Sequence, residues 1–179
     1  MGKKYFAWSF DDGLEQDKKI IEILREFGLG ATFHLNSGLF GDKTYEGRIG
    51  NLGMTEMPAE QYEAKAPRLL PYVPHFRIPV DEVKQVYEGF EIASHTCHHV
   101  NLIKCSEKER QAEIGEDVKA LSALFGQPVT GFAYPYGVGA KQSRAALQAA
   151  GVQYARAARS AGRRSRRTSR RCPRSSDSR

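Results

Sequence analysis

The feature that most constrains the fold is an alternation of strand-like and helix-like segments between residues 4 and 156. Short β-prone runs alternate with segments whose apolar residues recur every three or four positions. The predicted strands are 4–10, 31–35, 90–94, 130–134 and 152–155, and the predicted helices are 15–27, 81–88, 106–125 and 140–150. The first helix is predicted to face the core with Ile20, Ile23, Leu24 and Phe27. This order is typical of an α/β domain with a parallel sheet.

One stretch interrupts the alternation. Residues 38–79 hold five glycines and five of the eight prolines. Long irregular segments of this kind are usually functional or disordered. We expect this one to be a loop excursion that lines a substrate groove.

The net positive charge of the chain comes from its C-terminal end. Residues 156–179 contain ten arginines and a single acid, whereas the whole chain carries a net charge of +6. The body is therefore mildly acidic. A tail of arginine and serine cannot bury enough apolar surface to fold alone. We predict a folded but incomplete domain over residues 1–156 and a disordered basic tail over residues 157–179.

Length and composition exclude several classes of protein. No run of 18 apolar residues is present, so no membrane-spanning helix and no membrane partner are expected. The segment that follows Lys3-Lys4 is too short for a signal peptide, and we expect a cytoplasmic protein. Three cysteines without paired spacing do not indicate a disulfide framework.

Polar residues follow two of the predicted strands. Asp11 and Asp12 end the first strand, and His95 and His99 follow the third. Ligands of parallel sheets bind at the carboxyl ends of strands. In an extended chain the two histidines would be roughly 13 Å apart, whereas on a helical turn they would be about 6 Å apart. A shared metal therefore requires the chain to coil after the strand, with Asp12 as a third ligand. A simple Asp-Gly turn and a chance histidine cluster are the alternatives.

The fourth predicted strand ends in Tyr134-Pro135-Tyr136-Gly137. Such a turn can fix a backbone amide and wall a pocket with aromatic rings, although a packed turn is the alternative.

Taken together, these segments resemble three motifs of one family. Ser9-Phe10-Asp11-Asp12-Gly13 is similar to Thr-Phe-Asp-Asp-Gly, His95-Thr96-Cys97-His98-His99 to His-Ser/Thr-x-x-His, and Ala133-Tyr134-Pro135-Tyr136 to Arg-x-Pro-Tyr. The chain thus resembles the polysaccharide deacetylases, the metal-dependent carbohydrate esterases with NodB homology. The resemblance implies a distorted (β/α) barrel with the site at the carboxyl ends of its strands. Here the barrel would be incomplete, with about five strands.

The resemblance also implies roles for individual residues. Asp11 would be the general base, and the backbone amide of Tyr136 would help to hold the oxyanion. Asp12, His95 and His99 would bind one divalent metal ion, for which zinc is expected and cobalt, manganese or nickel are also suited. The implied enzyme is a hydrolase of non-peptide C–N bonds, and its substrate is an N-acetylated saccharide or a small N-acetyl compound. Metal-activated water would remove the acetyl group.

The sequence departs from the family at several points. Ala133 replaces the arginine that orients the catalytic aspartate, no histidine follows His99, and the only tryptophan is Trp8. Two later motifs, one of which carries the histidine general acid, are therefore missing. We expect the C-terminal end to be truncated or frameshifted.

These departures leave a second function open. A catalytically impaired remnant would bind metal and saccharide, and its tail would bind anionic partners non-specifically. No specific nucleic acid is expected, because the tail lacks aromatic residues for base stacking.

Other candidate residues receive structural interpretations. We expect His34 to lie in the core or in the wall of the groove, and His75 on a loop surface. His98 should face away from the site, with a ligand exchange with His99 as the alternative. Cys97 should be a packed thiol.

Overall fold

A computed structural model describes residues 5–48, 54–58, 60 and 73–157 of the chain. The strands are β1 Trp8–Asp11, β2 Ala31–Leu35, β3 Lys43–Arg48, β4 Met54–Pro58, β5 Val73–Phe76, β6 Glu91–Ser94, β7 Gly131–Ala133 and β8 Tyr154–Arg156. The helices are α1 Asp17–Glu26, α2 Val80–Val86, α3 Glu107–Phe125 and α4 Ala140–Ala149. None of the helices found among the described residues is long and apolar enough to cross a membrane.

The main sheet contains the five strands that the sequence predicts. Its order is β1-β2-β6-β7-β8, and every neighbouring pair is parallel. The sheet curls into half of a barrel, which confirms the incomplete barrel of about five strands. Because all five strands run the same way, their carboxyl ends meet at one rim of the sheet, and the motif residues lie there.

The stretch 38–79 is not simply the loop excursion that its composition suggested. It contains β3, β4 and β5, which form a three-stranded antiparallel sheet in the order β4-β3-β5. The prolines that argued against strands lie where a sheet tolerates them. Pro58 lies in β4 and Pro74 lies in β5, and these are the two outer strands of the sheet.

Helix α3 follows its sequence prediction closely. Ser106 and Glu109 form a capping box, in which Glu109 N–H donates to the Ser106 hydroxyl over 3.2 Å. Gly126 ends the helix in the left-handed conformation, with φ of 68°. Ile114 and Leu121, on the apolar side of this helix, are fully buried. This helix therefore anchors the back of the sheet.

The core-facing side of α1 was predicted only in part. Ile21 and Leu24 are buried, but Ile23 is 46% exposed and Phe27 is 67% exposed. Ile23 lies in a shallow apolar groove beside Trp8 of the edge strand β1, where the sheet gives it no further cover. A periodic apolar pattern indicates a helical face, but it does not show where the covering sheet ends.

The predicted C-terminal tail covers residues 157–179, and the structure describes only the first of them. Residues 158–179 carry the rest of the prediction. They lie outside the described residues.

Candidate functional site

The first two site residues lie at a sharp turn after β1. Asp11 is the last residue of the strand, while Asp12 and Gly13 adopt left-handed conformations with φ of 76° and 68°. The Asp12 N–H donates to the His34 carbonyl over 3.0 Å. Consecutive strand residues would point to opposite faces. The left-handed turn takes Asp12 out of that alternation and brings its carboxylate to the rim of the sheet.

A non-helical turn brings His95 and His99 together, whereas their spacing suggested a helical turn. Thr96 and His99 have positive φ values of 67° and 51°, so the chain reverses immediately after β6. Asn36 holds this turn by donating to the carbonyls of His95 and Thr96, over 2.6 and 2.8 Å. The two imidazole rings lie 5.0 Å apart between centroids. This turn therefore brings the two imidazole rings as close together as a helical turn would have done.

The three predicted metal ligands converge around one carboxylate oxygen. Asp12 Oδ1 is 3.8 Å from His95 Nε2 and 3.6 Å from His99 Nε2, and the three ligand atoms lie within 4.8 Å of one another. Asp12 Oδ1 is buried and has no hydrogen-bond partner among the residues that the structure describes. A divalent ion about 2.0–2.2 Å from each atom fits such spacing and would satisfy that oxygen. These residues therefore fit a metal ion with two imidazole ligands and one carboxylate ligand.

His95 is prepared for ligation by its surroundings. Its Nδ1 lies 2.8 Å from the Ala133 carbonyl, so the hydrogen-bonded tautomer leaves the Nε2 lone pair for a metal. Burial lowers the pKa of His95 to about 4, against an opposing effect of Asp11 and Asp12. The ring is therefore neutral at pH 7, which is the form that a metal requires.

Asp117, in α3, forms hydrogen bonds with the chain segments next to the site. It accepts hydrogen bonds from the Ser94 hydroxyl over 2.6 Å, from the His95 N–H over 3.2 Å and from the Ser37 N–H over 2.7 Å. Burial raises the pKa of Asp117 to about 6, although these hydrogen bonds oppose the shift. Sequence reasoning missed it, yet a signal was present: Asp117 falls on the same helical face as Ile114 and Leu121.

Asp11 lies beside the ligand cluster and outside it. The Arg156 guanidinium and the His34 ring both contact its carboxylate. Burial by itself would raise the pKa of Asp11, but hydrogen bonds from His34 and Arg156 outweigh it and hold that pKa well below its usual range. The carboxylate is therefore ionised at neutral pH.

Tyr136 lies on the 3-10 turn Pro135–Gly137 that follows β7. Its φ is 57°, its side chain is 58% exposed, and its ring centroid is 4.6 Å from that of His99. The turn thus places the Tyr136 backbone at the same rim as the ligands. The oxyanion role of its amide stays a prediction.

Of the remaining candidate residues, His34, His98 and Cys97 lie where they were expected, and His75 does not. His34 is buried, as expected, and His98 faces Glu113, whose Oε1 is 2.8 Å from its Nδ1. Cys97 is a buried thiol, and burial raises its pKa to about 11. His75 was wrongly assigned to a loop surface: it is buried in β5, with Nε2 3.7 Å from Asp12 Oδ2. It was misplaced because β5 itself was not predicted.

A curled parallel sheet thus brings one carboxylate and two imidazoles together at its carboxyl rim. Residues 1–155 match the polysaccharide deacetylase family, and the chain belongs to it. A comparison with curated proteins found no significant match.

Several solved structures share the fold. The Streptococcus pyogenes deacetylase PplD, in complex with acetate, has 18% identity and a TM-score of 0.60, with 84% of this chain and 54% of that chain covered. A family 4 carbohydrate esterase from Streptomyces lividans, also with acetate, has 21% identity and a TM-score of 0.53, with coverages of 83% and 60%. A family 4 pseudoenzyme from Bacillus anthracis has 16% identity and a TM-score of 0.57, with coverages of 86% and 43%. The chain thus spans about half the length of these structures.

Proposed function

We propose that this chain is a metal-dependent amidase that removes the acetyl group from an N-acetylated amino sugar or a related N-acetyl compound. The observation that carries the proposal is the convergence of Asp12, His95 and His99 within 4.8 Å, with the ionised Asp11 beside them. Family membership supplies the reaction class, since the family is that of polysaccharide deacetylases.

The residues divide the work of hydrolysis between them. Asp12, His95 and His99 would hold one divalent ion, which supplies water activation and polarises the amide carbonyl. Asp11 takes a proton from the attacking water. The Tyr136 backbone N–H donates to the oxygen that becomes negative when the water oxygen adds to the acetyl carbon.

Breaking the C–N bond then requires a proton on the leaving nitrogen. The chain has no histidine beyond His99 that could act as a separate acid. We therefore assign the return of the proton to Asp11 itself. Absence of a dedicated acid typically costs about 10²- to 10⁴-fold in rate, so we expect slow turnover.

The test compares two adjacent carboxylates. Asp11→Asn should keep the metal and lose acetate release, because it removes the base and leaves the ligands intact. Asp12→Asn should lose both. Acetate release is measured on N-acetylglucosamine oligomers with and without a chelator, and bound metal by elemental analysis. Equal loss of metal in the two variants would refute this division of labour.

A metal- and saccharide-binding remnant is the second candidate. Its support is the missing acid, together with the pseudoenzyme from Bacillus anthracis that shares the fold. This candidate would be favoured if the wild-type protein binds metal and is retained on a saccharide column but releases no acetate.

A further inference from the structure

Asp11 is held by side chains from two other strands. Arg156, in β8, donates a hydrogen bond from Nη2 to Asp11 Oδ1. His34, in β2, places Nδ1 3.3 Å from the same oxygen and 3.2 Å from the Phe10 carbonyl. Both contacts involve Oδ1. No hydrogen bond or ion pair from the described part of the chain involves Oδ2.

The contact between Asp11 and Arg156 spans the open rim of the sheet. β1 and β8 are the first and last strands in the order β1-β2-β6-β7-β8, and the two residues are 145 positions apart in the chain. They can meet only because the sheet curls. The register supplies a second observation, since Arg156 pairs with Ala133. Ala133 is the position at which the motif resemblance leads one to expect an arginine.

We propose that Arg156 is the positioning residue for Asp11, a guanidinium supplied from β8 in place of the arginine absent at Ala133. Together with His34 it fixes Oδ1, so that Oδ2 is the oxygen presented to the reacting water. The inference rests on the proposed amidase function, because it assigns Asp11 the role of base.

The surroundings of the pair suit positioning better than fold stability. The Arg156 side chain is 38% exposed and that of Asp11 is 33% exposed, so neither is a core residue. Ion pairs exposed to this degree contribute little to folding. An arginine also offers a planar fork of donors that a lysine cannot reproduce. Replacing Arg156 should therefore disturb the carboxylate without unfolding the chain.

The kinetic test uses Arg156→Ala and Arg156→Lys, with Arg144→Ala on the exposed face of α4 as the matched control. Misplacement of a reacting group by about 1 Å can cost roughly 10²-fold. We expect kcat to fall by about that factor in Arg156→Ala, with KM and metal content close to wild type. Arg156→Lys and added guanidinium should each restore part of kcat, and Arg144→Ala should behave as wild type.

A double substitution separates positioning from a general structural effect. If Arg156 acts through Asp11, the residual acetate release that remains in Asp11→Asn, measured at high enzyme concentration, should not fall further in Asp11→Asn/Arg156→Ala. Additive losses, or wild-type kcat in Arg156→Ala, would overturn the proposal.

A structural readout decides the same question without turnover. In crystals of metal-loaded protein, the Asp11 carboxylate of Arg156→Ala should rotate away from its wild-type orientation while Asp12, His95 and His99 stay in place. An unchanged Asp11 orientation would overturn the positioning role. Absence of acetate release from the wild type would instead count against the amidase function, and the crystallographic comparison would still decide the role of Arg156.

Discussion

The chemistry at the scale of single residues depends on which histidines of the segment 95–99 face Asp12. His95 and His99 point Nε2 at its carboxylate, whereas His98 turns to Glu113. His95→Ala removes one of three ligands, and we expect bound metal to fall from about one equivalent to near zero. His98→Ala is the matched control and should keep the metal. Elemental analysis and calorimetric titration measure both, and equal metal content in the two variants would rule out this ligand set.

A second residue-scale prediction concerns Asp17, which is buried and accepts a 2.7 Å hydrogen bond from the Tyr87 hydroxyl. Burial raises its pKa from 3.8 to about 7, although the Tyr87 hydrogen bond opposes this. The folded state therefore binds a proton that the unfolded state releases above pH 4. Asp17 thus makes stability fall as pH rises from about 4 to about 7, by at most about 1.4 kcal/mol per pH unit.

Asp17→Asn removes this dependence. We expect the variant to gain stability relative to wild type as pH rises through that window, measured by urea unfolding at several pH values. Tyr87→Phe removes the donor that lowers the pKa of Asp17. The decline in the stability of this variant should therefore extend to higher pH. Parallel curves for Asp17→Asn and wild type between pH 4 and 7 would contradict the assignment.

The sequence predicted the positions of the site residues better than their partners. Asp11, Asp12, His95 and His99 could be grouped because parallel strands bring their carboxyl ends to one rim. Arg156 could not be added to them, because its contact with Asp11 depends on the curl of the sheet. That curl arises from the twist and packing of all five strands, and no local pattern encodes it.

At the scale of secondary structure elements, the contact between β7 and β8 depends on a glycine. A Cβ added at Gly131 would lie 2.3 Å from the Tyr154 hydroxyl and 2.9 Å from the Ala93 Cβ. The Tyr154 hydroxyl also donates to Glu91 over 2.7 Å. Gly131→Ala should therefore displace Tyr154 and destabilise the chain by about 1–3 kcal/mol, as overpacking usually does.

Gly115, in α3, is the matched control, since a Cβ there would meet nothing within 4 Å. Gly115→Ala should stabilise the chain by up to about 1 kcal/mol, because alanine has the higher helix propensity. Urea midpoints measure both effects. A Gly131→Ala midpoint at or above that of wild type would show that Tyr154 moves aside without cost.

Prediction of the elements succeeded where local signals agreed. In α3 the capping box, the apolar stripe and Gly126 all indicate the same helix, and the structure confirms it. β3, β4 and β5 lack such agreement: their apolar alternation is weak and prolines occur in β4 and β5. What stabilises them is pairing with one another, which a sequence window cannot show.

At the scale of the whole molecule, the curled sheet has two open edges. Within the described residues, β1 and β8 each pair on one side only. Next to β1, Phe6, Trp8, Ile23, Phe27 and Leu29 are all at least 42% exposed, and we call these five residues the β1 patch. Apolar patches and unpaired parallel edges favour association between chains. We therefore expect this protein to self-associate as its concentration rises.

Two charges placed in the β1 patch should suppress that association. Ile23→Lys/Phe27→Lys puts cations on positions that are already solvent-exposed, so folding should be little affected, while burial of the patch between chains would become costly. Ile103→Lys is the matched control, because Ile103 is 52% exposed and lies outside the patch. Sedimentation velocity over a concentration series should show the double variant monomeric where wild type and Ile103→Lys form larger species. Association that persists in the double variant would exclude the β1 patch as its cause and would direct the search to the β8 edge.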